Sequence, residues 1–144
     1  MHTLIESIEI RHVGAALAAG SAIDNNSAII DMAGYDSVTF IAAVSASAAG
    51  GVATLTVEAN EAEADAGMVA VSGAVASATS PAANDLADKL LVVEVARPAK
   101  RFVQAVRTSA SANITFGPVV ALLVPRRRPA AADASQAASA RVSD

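Results

Sequence analysis

Apolar and polar residues alternate with a period of two over most of the chain, the signature of half-buried β-strands. In the segment Asp31 to Val44, Val38, Phe40, Ala42 and Val44 share one face, and Thr39, Ile41 and Ala43 the other. Gly34 permits the backbone angles of a turn before it, and Asp31 and Asp36 can accept hydrogen bonds from nearby backbone. Residues 3–13 also alternate, with Ile8, Ile10 and His12 opposite Glu9 and Arg11. Further strands are predicted at 28–31, 37–46, 52–59, 90–96, 101–108 and 114–124. The run from Gly14 to Ser27 reads as a loop, and Ser80 to Asp88 as a loop or short helix.

Glycines punctuate this pattern. Gly50-Gly51 between two alternating segments predicts a hairpin, and Gly73 predicts a second, smaller one within 68–78. Gly117-Pro118 predicts a bend or bulge in the last strand. No long amphipathic helix competes with these strands. The expected class is all-β: a compact β-sandwich or jelly-roll-like domain of about eight short strands, spanning residues 1–124. Phe40, Phe102 and Phe116, in three separate strands, are expected to meet in one core. Residues 125–144, PRRRPAAADASQAASARVSD, change character and read as an extended C-terminal arm that suits a tether to a neighbouring subunit.

Composition thins the expected core. Hydrophobic residues make up 53% of the chain, but Ala alone is about a quarter of it and aromatics only 3%. Alanine buries little area, so oligomerisation is an expected remedy. The formal charge is −4, divided between an acidic body, with six Lys/Arg against twelve Asp/Glu in residues 1–124, and a mildly basic tail. That balance argues against nucleic acid as a partner. No apolar run reaches membrane-spanning length, and the acidic N-terminal segment does not read as a signal peptide.

Candidate chemistry is sparse. The chain has no Cys and two His, His2 and His12, without ligand-like company. The Glu58, Glu61, Glu63, Asp65 stretch lacks the spacing of a calcium loop and reads as a solvated acidic loop. There is no Gly-x-Ser-x-Gly elbow and no phosphate-binding glycine loop. The reading is therefore non-enzymatic, with no cofactor and no metal. Partner contacts are expected at Arg126, Arg127 and Arg128, which could dock on an acidic protein surface, and at Arg101 and Arg107. The last two are read either as ordinary edge charges that discourage edge-to-edge pairing or as interface contacts.

Several blocks occur in order. They are Ile8-Glu-Ile-Arg11, then Asp31-Met-Ala-Gly-Tyr-Asp-Ser-Val-Thr-Phe-Ile41, then Lys89-Leu-Leu-Val-Val-Glu-Val95 with Arg97-Pro98, then Arg101-Phe-Val-Gln-Ala-Val106, and last Phe116-Gly-Pro-Val-Val-Ala-Leu-Leu-Val124. Their order resembles the tailed-bacteriophage head decoration, or cement, proteins. The resemblance implies a β-rich virion protein on the outer surface of the capsid, bound to the major capsid protein at capsomer junctions. It implies a homo-oligomer, with a trimer favoured over a dimer, and carries no catalytic residues. The alternatives are another phage structural protein of the tail or head–tail junction, and a carbohydrate-binding β-sandwich. The latter is poorly supplied with one Tyr and no Trp for sugar stacking.

Overall fold

A computed structural model of the chain describes residues 3–127, 133–140 and 142. The strands are β1 (Glu9–Gly14), β2 (Asp24–Asn26), β3 (Ile30–Asp31), β4 (Tyr35–Ser47), β5 (Val52–Asn60), β6 (Val69–Thr79), β7 (Lys89–Ala96), β8 (Phe102–Ala110) and β9 (Ile114–Pro125). They form two antiparallel sheets, one ordered β1-β9-β4-β7 and the other β2-β8-β5-β6, with β3 also pairing β8. The inner faces share one core. Val38, Phe40, Ala42 and Val44 meet Leu55, Val57, Leu91, Val93, Val103, Phe116, Val119 and Leu123 there, all buried. The parity read from β4 is the parity observed, and alternation in β5 and β7 turns Leu55, Val57, Leu91, Val93 and Val95 inward in the same way.

Five differences have physical causes. The first residues are not strand: Glu6 accepts a hydrogen bond from the Thr3 backbone N–H at 3.1 Å and starts a one-turn helix, α1 (Leu4–Ser7). In β1, Glu9 and Val13 are the buried residues and His12 is exposed, so the odd face points inward. Gly50-Gly51 does not close a hairpin, because β4 and β5 lie in different sheets. Gly73, at φ +80°, is a bulge inside β6 rather than a turn, where the pairing with β5 slips between Thr56 and Glu58. The β9 irregularity around Gly117-Pro118 is present, as the register against β4 shifts between Ala42 and Ala46. The three Phe do not all meet: Phe40 and Phe116 are core, whereas Phe102 points to the other face of β8, its ring 5.1 Å from the Arg101 guanidinium.

Among the described strands, only β5 and β6 pair with a neighbour in sequence; β1 to β2 and β3 to β4 cross between sheets, and so do the four later connections β4 to β5, β6 to β7, β7 to β8 and β8 to β9. Left-handed residues sit at these corners: Gly50, then Asn84 and Asp88, then Arg97, then Ser111. The hydroxyls of Ser47 and Ser80 hydrogen-bond each other at 2.8 Å beneath the first two corners, and the Leu86 N–H donates to Ser47 Oγ at 3.2 Å. At Gly51, a Cβ would meet Ile114 Cδ1 at 2.9 Å and the Ala48 and Ala112 carbonyl oxygens at 3.1 and 3.2 Å. Gly51→Ala is therefore expected to lower stability by about 1–2 kcal/mol, read from the urea midpoint. Gly34→Ala meets no neighbouring atom and pays only for its left-handed backbone.

Candidate partner-binding surface

The Gly34 turn forms one wall of a cleft of about 580 Å³. Asp31 opens the turn by accepting the Ala33 backbone N–H at 2.9 Å. The same carboxylate receives Arg101 in a two-point contact, Nε to Oδ1 and Nη2 to Oδ2, both at 2.8 Å. The Arg126 backbone N–H donates to the Gly34 carbonyl at 2.9 Å, and its Nε donates to Asp36 Oδ1 at 3.1 Å. The Asp36 carbonyl in turn accepts the Arg97 N–H at 2.7 Å. Arg97, Lys100, Arg101 and Arg126 thus line the cleft with Tyr35, Asp36 and Glu61. Among the described residues, Arg97 and Lys100 make no ion pair, so the rim keeps cations free for a partner.

Arg101 and Arg126 therefore converge from distant segments, and the described Arg127 is exposed beside Arg126. Arg128 lies outside the described residues. Arg107 corrects the sequence reading: it is 1% exposed and belongs to the interior. Its Nη1 donates to the carbonyls of Ala15 at 2.8 Å and Gly117 at 2.7 Å, and its Nη2 to Asn25 Oδ1 at 2.8 Å. It is a clamp on the β9 bulge, not an edge or partner contact. The sequence did not single out Arg97, although Arg97, Lys100 and Arg101 within five residues were a usable signal.

The Asp31 carboxyl is held down to about 2 by the hydrogen bonds from Arg101, then by the Ala33 N–H. Its folded value lies below the ordinary 3.8, so the contact contributes stability above pH 3.8 and loses it as pH falls through about 2. Carbon-detected NMR titration is expected to place the Asp31 midpoint near 2, and in Arg101→Gln to return it toward 3.8.

The acidic loop is less free than expected. Asp65 Oδ1 accepts from Gln104 Nε2 at 2.7 Å and from Asn26 Nδ2 at 2.8 Å, and Glu58 accepts from the same Gln104 at 3.0 Å. The loop thereby covers the outer face of β8, while Glu61 and Glu63 remain exposed. Among the described residues no group of three or more potential ligands could hold a metal ion.

A second polar cluster lies on β1. Arg11 Nε donates to Glu9 Oε1 at 2.9 Å, its Nη2 donates to Tyr35 Oη at 3.0 Å, and Tyr35 Oη donates to Glu9 Oε2. Burial and then the Glu9 contact push the Tyr35 hydroxyl up. The described part of the C-terminal arm reaches this cluster within the same chain. Asp133 Oδ2 lies 3.5 Å from Arg11 Nε, Ser135 Oγ accepts the His12 N–H at 3.0 Å, and Gln136 Nε2 donates to the Ile10 carbonyl at 2.9 Å.

No family model matches the chain, and no curated protein does. A solved structure does match: the crystal structure of PBSX exported protein XepA, with a TM-score of 0.58. The fold is shared with that protein. The match covers 100% of this chain at 14% identity but 46% of XepA, so this chain spans under half the length of that protein. At that identity the likeness is one of fold.

Proposed function

We propose that the chain is a phage structural protein of the decoration type, binding the outer surface of a capsid and reinforcing the lattice at capsomer junctions. The observation that carries the reading is the cleft. Two of its cations, Arg101 and Arg126, are anchored by Asp31 and Asp36, and two more, Arg97 and Lys100, are unpaired at its rim among the described residues. Cations held beside strand ends by their own carboxylates suit docking on an acidic protein surface with little loss of side-chain freedom. The likeness to a phage-related fold is compatible with this reading, as is the ordered set of sequence blocks. The major capsid protein is the partner proposed, with the chain acting as a homo-oligomer without chemistry of its own.

The test is co-sedimentation with expanded capsids that lack the protein, together with their temperature of rupture. Saturable binding and a higher rupture temperature are expected; neither occurring rejects the reading. Lys100→Glu with Arg97→Glu is expected to weaken binding by roughly tenfold or more and to leave the fold intact, since neither side chain anchors the cleft. The fold likeness serves a tail or head–tail component equally well. Copy number per particle separates the two: lattice-wide for a cement, a few for a connector.

A further inference from the structure

Among the described strands, β1 is an edge strand, paired only with β9. An open edge is a template for another strand, and proteins usually blunt it. Here the blunting is done by the arm, and in an unusual way. The outward-facing Ile10 carbonyl and His12 N–H are met by the side chains of Gln136 and Ser135, not by a paired strand. Asp133 adds an ion pair to Arg11 at a loose 3.5 Å. Ser135 and residues 137–140 are exposed, so the arm brings little apolar burial with it. The cover is thus a few side-chain contacts over a complete strand edge.

We infer that the Ile8–His12 edge is a self-association surface, pairing antiparallel with the same strand of a second copy once the arm lifts away. The charge pattern selects the register. Ile10 and His12 present their backbone outward, so they must form the hydrogen-bonded pairs of such a ladder. With Ile10 opposite Ile10 of the second copy, Ile8 falls opposite His12, and Glu9 falls opposite Arg11 on both sides of the twofold. Opposite charges therefore face each other twice at the close, non-hydrogen-bonded positions. The merged sheet would also continue the outer rows Ile10–Leu122–Thr39 and His12–Val120–Ile41 across both subunits. The contact is isologous and closes at two copies, a different number from the trimer that the sequence resemblance implies. It goes beyond the capsid reading and does not depend on it.

The experiment uses the full chain carrying Asp133→Ala, Ser135→Ala and Gln136→Ala together, which unfastens the arm without touching the sheets. Sedimentation equilibrium is expected to show a dimer at least tenfold tighter than for the unaltered chain. Amide exchange at Ile10 and His12 is expected to slow as concentration rises. Adding Ile10→Pro removes an outward N–H that β9 does not use, and is expected to abolish both effects. An unchanged mass, an assembly of three, or a dimer whose Ile10 and His12 amides stay unprotected would each overturn the inference, whatever the outcome of the capsid assay.

Discussion

Arg107→Met is expected to destabilise the chain by about 3 kcal/mol, from three acceptors left without a donor at about 1 kcal/mol or more each. Those acceptors are the carbonyls of Ala15 and Gly117 and the side chain of Asn25, which belong to the loop after β1, the bulge of β9 and strand β2. One planar guanidinium holds three separate segments, and its position 6.0 Å from the centre of the Phe116 ring anchors it to the core. Burial lowers the Arg107 pKa, and its Nε has no partner among the described residues, so part of the loss is returned when the charge is removed. Arg107→Lys is not expected to rescue, because a single ammonium lacks the fork that reaches three acceptors. Urea unfolding at neutral pH measures both. A loss below about 1 kcal/mol for Arg107→Met would show that the clamp is dispensable.

Phe40→Ala is expected to cost still more, about 3–5 kcal/mol, a large part of the stability of a domain this size. Phe40 is 0% exposed, and with 3% aromatics the chain has few other side chains of that volume in its core. Ile41→Ala is the matched control: it lies on the outer face of the same strand, half-buried, and is expected to cost about 1 kcal/mol. Equal losses at the two positions would contradict the assignment of faces in β4.

Those two neighbours also show what a sequence makes legible. A period of two is enforced locally by the pleat, so the inward and outward sets of β4, β5 and β7 could be read directly. Which strand pairs with which is a different matter. Gly50-Gly51 announces that the chain turns, but not whether the next strand lies beside the last or across the core. The site divides the same way. Asp31 and Gly34 read correctly as turn formers, but the cations that complete the cleft come from 70 and 90 residues further along. Charge alone suggests a surface position for Arg107, but it shares parity with the buried Val103 and Ala105, and neutral carbonyls inside receive the guanidinium.

The six crossings between sheets set the tempo at which this chain can fold. With β5–β6 alone pairing neighbours in sequence among the described strands, little of either sheet can form by local zippering. Long loops must close before most hydrogen bonds repay them, which puts folding in the millisecond-to-second range typical of non-local β topologies, roughly. During that interval the apolar strands are unpaired, so newly made chains at high concentration are vulnerable to one another before any sheet is complete.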